Sequence, residues 1–238
     1  MRGLWLALVL LTALPRGAAH AQARPAYLDQ PASLRMVGKA GALPVPVPLV
    51  IVLPCTGGSA EEIYEQLRSE VPLADYAVLL PQGAPSAADY RPSFGNFVGW
   101  FEARLLADLQ LTRAQRAIDP ERVFLVGFSL GGDLACALLA RHPELFQGMF
   151  VMGSRCTSAP SKSSLAQLQK RGVRAAFTFG TSDDSARISG LKKAHDRLAA
   201  QKITTQLSTF DGSHQLPPAP IARSAFGFLF EPRAAPKP

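Results

Sequence analysis

The stretch RVFLVGFSLGGDLACALLARHPELF, residues 122–146, decides the fold. Residues 123–126 are a short run of branched and aromatic side chains, as in a strand buried on both faces. Gly127-Phe128-Ser129-Leu130-Gly131 follows directly, and Leu130, Leu134, Ala137 and Leu138 then recur at helical spacing. In a G-x-S-x-G turn the chain passes close to itself, so glycines flank the Ser. The helix beginning there aims unpaired N–H groups at it. The five-residue pattern is weak by itself, because two positions accept any residue. Its place between a strand and a helix makes Ser129 a candidate nucleophile rather than a small residue in a turn.

The same alternation extends in both directions. Strands are expected at Ser33–Val37, 49–53, Tyr76–Leu80, Gly148–Met152, 174–179 and 203–208. Helices are expected at 60–70, with a Ser59/Glu62 capping box, and at 100–117, Leu130–Arg141, 165–170, 188–200 and Ala219–Phe230. LPVPVP, residues 43–48, is not expected in a central strand, since each Pro lacks a ladder donor. Residues 81–98 read as a loop. Alternating strands and helices imply an α/β fold, a mostly parallel sheet covered by helices on both faces. Between residues 152 and 174 there is room for one short helix and not for a large cap domain. Ligands of such sheets bind beyond the carboxyl ends of the strands. The loops that matter therefore begin at Pro54, Pro81, Gly127, Gly153, Gly180 and Phe210.

The chain has 238 residues, 47% hydrophobic and 18% charged, which suits one α/β domain over residues 33–230 with a substantial core. Residues 1–21 have the pattern of a secretory signal: Arg2, an apolar stretch over 4–14, and Ala19-His20-Ala21 as a cleavage site. The apolar run is too short for a stable membrane anchor. Residues 22–32 are expected to be a mobile mature start, and 231–238 a disordered tail. Removing Arg2 and Arg16, and no acid, lowers the formal net charge from +7 to +5. The basic residues are scattered and form no stripe interleaved with aromatics, so no nucleic-acid partner is expected.

Three cysteines in an exported chain permit one bridge and one free thiol. Cys136 falls inside the helix after Ser129 and reads as a small buried residue. Cys55 and Cys156 both follow strands and are within reach of one another in such a sheet. No cysteine or histidine cluster has metal-ligand spacing, and no cofactor is expected.

A Ser hydroxyl needs a base. His20 leaves with the signal, His142 sits before Pro143 where it would cap helix carbonyls, and His195 lies within a helix near an apolar stripe. His214, in the loop FDGSHQLPP after a strand, is free to reach the sheet's carboxyl edge. The imidazole in turn needs a carboxylate to orient it. FTFGTSDD offers Asp183 and Asp184, one as that acid and the other as a helix N-cap, while Asp211 is too near His214 in sequence. The order Ser129, Asp183, His214 is the α/β-hydrolase order. Acyl transfer also needs donors for an oxyanion. The N–H of Leu130 follows the Ser, and the loop LPCTGGSAEE, with Gly57 and Gly58, lets Thr56 turn its N–H inward. Tyr90, Phe94, Phe97 and Trp100 are candidate linings of an acyl or aromatic pocket, with Phe97 and Trp100 expected to bind substrate.

The segments IVLPCTGGSAEE, AVLLPQGAP, GWFEA, residues 122–154, FGTSDD and GSHQLPP resemble α/β-hydrolases of the phospholipase/carboxylesterase type. They are similar also to the exported polyhydroxybutyrate-depolymerase and feruloyl-esterase-like group. The resemblance covers most of residues 49–230. It implies a triad of Ser129, Asp183 and His214, with the acid three residues after Gly180, and oxyanion donors at Thr56 and Leu130. Three positions depart from the family pattern: Pro54-Cys55 and Phe179-Gly180 stand where His-Gly is usual, and Leu130 where Gln is frequent. The expected activity is a serine hydrolase, secreted or periplasmic, acting on a small-molecule or polymeric carboxylic ester. The rival readings are a peptidase on the same fold and a non-catalytic binding protein on a degenerate one.

Overall fold

A computed structural model describes residues 22–38 and 46–231. The expected signal at 1–21, the start of LPVPVP, and the tail from 232 lie outside the described residues. Among the described residues seven strands form one sheet: β1 (Ser33–Val37), β2 (Val47–Leu53), β3 (Tyr76–Leu80), β4 (Ile118–Phe128), β5 (Gly148–Met152), β6 (Arg174–Gly180) and β7 (Thr204–Phe210). Their order is β1-β3-β2-β4-β5-β6-β7, with β1 antiparallel to β3 and every other pair parallel. The α-helices among the described residues are α1 (Ala60–Leu67), α2 (Phe94–Gln115), α3 (Leu130–Arg141), α4 (Lys162–Lys170) and α5 (Ser185–Ala200), each between two strands, and α6 (Ala219–Phe230), after the last. No large cap interrupts the sheet, and only α4 stands between β5 and β6. Among the described residues no helix is long and apolar enough to cross a membrane.

From β2 the chain first crosses to β3 on one side and then to β4 on the other. Such a reversal opens a crevice at the carboxyl ends of the two strands, because their following loops part in opposite directions. The loops after Leu53 and Phe128 flank that crevice, which is where Thr56 and Ser129 lie.

Alternate residues of each strand enter two separate cores, as the two-residue period of a strand requires. Leu49, Ile51, Leu125, Val151 and Phe177 pack with α2, α3, α4 and α5. Val50, Val52, Val126, Phe150 and Met152 face α1 and α6. Each fully buried branched or aromatic side chain contributes about 1.5–3 kcal/mol, which holds the sheet between its helices. The Ser59/Glu62 capping box is present at the start of α1, and a 3-10 turn over Arg68–Glu70 closes that segment.

Four expectations change. Pro48 does lie in a central strand, β2, where the pairing with β4 shifts register between Val47 and Leu49. A bulge is the one interior place where a missing ladder donor is tolerated. α2 begins at Phe94, inside the expected loop, because Ser93 accepts from the Asn96 N–H at 3.3 Å and caps it. Gly95 and Gly99, poor helix formers, hide this turn in the sequence. Residues 22–32, expected as mobile, contain a 3-10 turn over Ala26–Asp29 that buries Leu28 to 1% exposure. Finally, Cys136 does not remain a thiol: it is bonded to Cys156, with Cα atoms 5.5 Å apart, and Cys55 is free. Helix α3 packs against β5, so Cys136 meets the loop leaving that strand.

Candidate active site

Ser129 stands between β4 and α3 with φ 54° and ψ −118°, a strained conformation for a residue with a side chain. Its N–H donates to the Met152 carbonyl at 2.9 Å, and its carbonyl accepts from Gly132 and Asp133. The flanking glycines are sterically required. A Cβ on Gly127 would lie 2.2 Å from the Gly131 oxygen, and one on Gly131 would lie 2.5 Å from the Leu53 oxygen. The turn thus folds tightly on itself and against the end of β2, which lifts the Ser129 side chain into the crevice.

The loop after β7 brings His214 to the same place. Its Nε2 is 3.0 Å from Ser129 Oγ, and its Nδ1 is 3.1 Å from Asp183 Oδ2. Asp183, after β6, is buried; its Oδ1 accepts from the Asp184 N–H at 2.6 Å and from Arg187 at 3.2 Å. Asp184 takes the other role open to the pair, capping α5 by accepting from the N–H groups of Ala186 and Arg187. An imidazole held this way can donate through Nδ1 to a carboxylate and accept the hydroxyl proton at Nε2.

Among the described residues, the other two histidines, His142 and His195, lie elsewhere. His20 is outside the described residues. His142 ends α3, but its ring meets the carboxylates of Glu102, at 2.5 Å, and Glu144, at 3.3 Å, in place of the expected helix carbonyls. His195 stands edge-on to Phe177 and bonds Asp196.

Leu130 is the first residue of α3, and neither its N–H nor that of Thr56 donates to a protein acceptor among the described residues. The loop carrying Thr56 is compact. Gly57 has φ 71° and donates to the Ala84 carbonyl, while Thr56 Oγ1 shares a 2.8 Å hydrogen bond with the Tyr90 hydroxyl. Pro54 packs where a Cβ on Gly83 would stand, and the Cys55 sulfur fills the corresponding space beside Gly58. Burial pushes the Cys55 thiol pKa up, backbone hydrogen bonds pull it partly back, and the charge of Glu62 adds to the rise.

The expected substrate-binding aromatics are corrected. Phe97 is 1% exposed and packs between Tyr90 and Phe101, so it is core. Trp100 is partly buried against the same core and does not line the cavity beside the site. Tyr90, ahead of α2, and Phe94, at its first residue, do line that cavity.

Several contributors went unnoticed in the sequence. Phe128 stacks on His214, with centroids 4.6 Å apart and planes 27° from parallel. Gly153, with φ 50°, leaves space that a Cβ would contest with Phe128, His214 Nδ1 and Asp183 Oδ2, at 3.0, 3.1 and 3.2 Å. Arg187 was within reach of sequence reasoning, since it stands four residues beyond Asp183 at helical spacing. No sequence signal gives Phe128 or Gly153 these contacts, although Gly153 opens one of the loops expected at the sheet's carboxyl edge.

A family model described as alpha/beta hydrolase fold matches residues 48–181. The chain is 36% identical, over 132 residues, to a protein of Nocardia uniformis subsp. tsuyamanensis named "Putative esterase NocK". That match takes in 52% of this chain and 37% of the relative, so the chain spans little more than a third of its length. Among solved structures, esterase PE8 superposes with a TM-score of 0.64 at 19% identity, over 85% of this chain and 99% of that one. The Bacillus cereus carboxylesterase also gives 0.64, at 18% identity over 83% and 93%. Atu2452 of Agrobacterium tumefaciens str. C58, of unknown function, gives 0.61 at 23% identity over 81% and 94%. At these identities the likeness is one of fold.

Proposed function

The chain belongs to the α/β-hydrolase fold family, and on that footing we propose that it is a serine hydrolase cleaving carboxylic esters through an acyl-enzyme. The reading rests on one observation: a single imidazole, that of His214, is within hydrogen-bond distance of both Ser129 Oγ and the buried Asp183 carboxylate. The similarity to a protein named as an esterase supports the choice of esters.

In this mechanism Ser129 Oγ attacks the ester carbonyl carbon while its proton passes to His214 Nε2. Asp183 accepts the Nδ1–H bond, holds the tautomer and stabilises the imidazolium. The carbonyl π bond opens, and the negative oxygen is received by the N–H groups of Leu130 and Thr56. Collapse of the tetrahedral adduct breaks the bond to the alcohol oxygen, which leaves with the proton from Nε2. Water then repeats both steps on the acyl-enzyme, releasing the acid and restoring Ser129. The strained φ of Ser129 favours this role, because it holds the hydroxyl above the free N–H end of α3.

Export belongs to the same proposal, with residues 1–21 removed as a signal. The Cys136–Cys156 bond supports it, since such bonds persist in oxidising compartments. N-terminal sequencing of protein recovered outside the cytoplasm should begin near Gln22.

The test is stopped-flow hydrolysis of p-nitrophenyl esters from acetate to long chains. A burst stoichiometric with enzyme, absent in Ser129→Ala, is expected, together with fluorophosphonate labelling of Ser129. No burst and no turnover at any length would overturn the reading and favour a binding protein.

A further inference from the structure

Two cavities open beside the loop that leaves β5, and both are lined by Arg155 and Thr157. The first, of about 250 Å³, is also bordered by Tyr90, Arg91, Phe94 and Asp133. It adjoins the reaction centre proposed above. The Tyr90 hydroxyl bonds Thr56 Oγ1 at 2.8 Å, and Asp133 lies one helical turn beyond Ser129, donating its N–H to the Ser129 carbonyl at 3.2 Å. The second cavity, of about 360 Å³, is closed by Ser189, Lys193 and Arg197 of α5, and no carboxylate lines it.

The close approach of α5 creates this second cavity. A Cβ on Gly190 would lie 2.0 Å from the Arg155 carbonyl oxygen, so helix and loop touch backbone to backbone. Lys193 and Arg197 follow Gly190 at three and seven residues, on the face that Gly190 presents. Other cations of the helix are engaged: Arg187 bonds Asp183, and Lys192 lies over the Phe179 ring at 5.7 Å. Arg155, Lys193 and Arg197 form no ion pair among the described residues. Asp133, the acid on the shared rim, has its Oδ1 filled by Ser154 Oγ at 2.8 Å and the Cys156 N–H at 2.7 Å. Asp196 is turned to His195. Three cations and two hydroxyls therefore border one concave space with no carboxylate in its lining; Asp133 on the rim answers part of the Arg155 charge, and the excess of like charges that remains in the recess raises the local concentration of anions.

We propose that, in the ester hydrolase inferred above and resting on that reading, these cavities receive an ester whose acyl chain ends in a carboxylate. The chain passes along Tyr90 and Phe94, and the distal carboxylate is held by Arg155, Lys193 and Arg197. The guanidinium groups offer paired N–H donors matched to a carboxylate, and Lys193 adds a mobile point charge. The Cys136–Cys156 bond and the Asp133 contacts hold the loop that presents Arg155. Specificity arises here because a neutral chain end would leave the cluster unanswered.

The experiment compares p-nitrophenyl monoesters of succinic, glutaric, adipic and suberic acid with neutral p-nitrophenyl alkanoates of equal chain length. Full-length mature protein is used, with glutarate and inorganic phosphate binding followed separately by calorimetry. At least one monoester should exceed its neutral counterpart about tenfold in kcat/KM at low ionic strength, mainly through KM. That ratio should fall toward one in high salt and in Lys193→Ala/Arg197→Ala, because each variant is its own reference. Neutral esters turned over with a ratio of one or less throughout would overturn the carboxylate site and leave the hydrolase reading intact. Phosphate binding without any carboxylate preference would overturn it too, showing a general anion site. Should no ester of either kind be cleaved, the hydrolase reading fails. Glutarate binding lost in the double variant would then still support the carboxylate site, and absence of binding would sink it.

Discussion

His214 Nδ1 lies 3.1 Å from Asp183 Oδ2, and the two groups differ sharply in exposure: 32% for the imidazole and 1% for the carboxylate side chain. The buried carboxylate has its other oxygen filled by Arg187 and the Asp184 N–H, so Oδ2 has one partner to orient. Asp184, one residue on, spends its side chain on the N-terminus of α5. Two adjacent acids are thus divided between the imidazole and a helix cap, and substitution tests the catalytic role proposed for the first. Asp183→Asn should lower kcat by about ten-thousandfold, because the amide offers the wrong partner for the tautomer. Asp184→Ala should retain turnover and lose about 1 kcal/mol of stability, the usual cost of a removed cap. Ester kinetics and thermal unfolding of both variants check this.

The positive φ of Ser129 predicts that activity and stability part company. Ser129→Ala keeps the strain and should lose about five to six orders of magnitude in kcat. Ser129→Gly should be equally inactive and more stable than the Ala variant by about 1–3 kcal/mol, since glycine occupies this conformation without strain. Denaturant unfolding of the pair measures the difference.

Gly153 predicts an effect on alignment. A methyl there would press on Phe128, His214 and Asp183 within a backbone conformation that already disfavours a side chain. Gly153→Ala should reduce kcat about a hundredfold, the scale on which a small displacement of a catalytic group acts. KM should change far less, and steady-state kinetics on one neutral ester distinguishes the two.

The Cys136–Cys156 bond closes a separation of 20 residues, for which chain-entropy arguments give about 3 kcal/mol. Cys136→Ser/Cys156→Ser should lose stability on that scale in denaturant titrations. The proposed carboxylate preference should weaken as well, because the loop bearing Arg155 then loses its covalent tie to α3.

Cys55 is the free thiol, and its pKa is pushed above the usual thiol range chiefly by burial. A raised thiol pKa lowers the thiolate fraction at neutral pH, and the thiolate is the reacting species. Alkylation of native protein should be slow near neutrality. It should keep accelerating with pH beyond about 8.5, where an unperturbed thiol levels off. A pH series of iodoacetamide labelling, read by mass spectrometry at Cys55, tests this.

The legible part of this protein was local. Residues 130–141, 148–152 and 219–230 read correctly end to end, because hydrophobic periodicity and flanking Gly or Pro act within one element. The start of α2 was not legible, since two glycines outweigh a single capping Ser in any local reading. Phe97 was assigned to a pocket because an aromatic residue looks the same in a core and in a cleft. Only the packing of Phe97 against Tyr90 and Phe101 distinguishes them.

By itself the sequence determined the alternation of strands and helices, the Ser turn between β4 and α3, and the loops at the sheet's carboxyl edge. These are consequences of short-range sterics and of periodicity, which any eight to twelve residues carry with them. Tertiary structure set Asp183, the acid that the resemblance implies, against His214, and it alone decided which cysteine meets Cys136 and that Arg155 meets Lys193 and Arg197 around one cavity. Those pairings join residues 20 to 42 positions apart in the chain. Their distances depend on how strands are ordered in the sheet and how closely a glycine lets a helix approach it, and neither is written in any local segment.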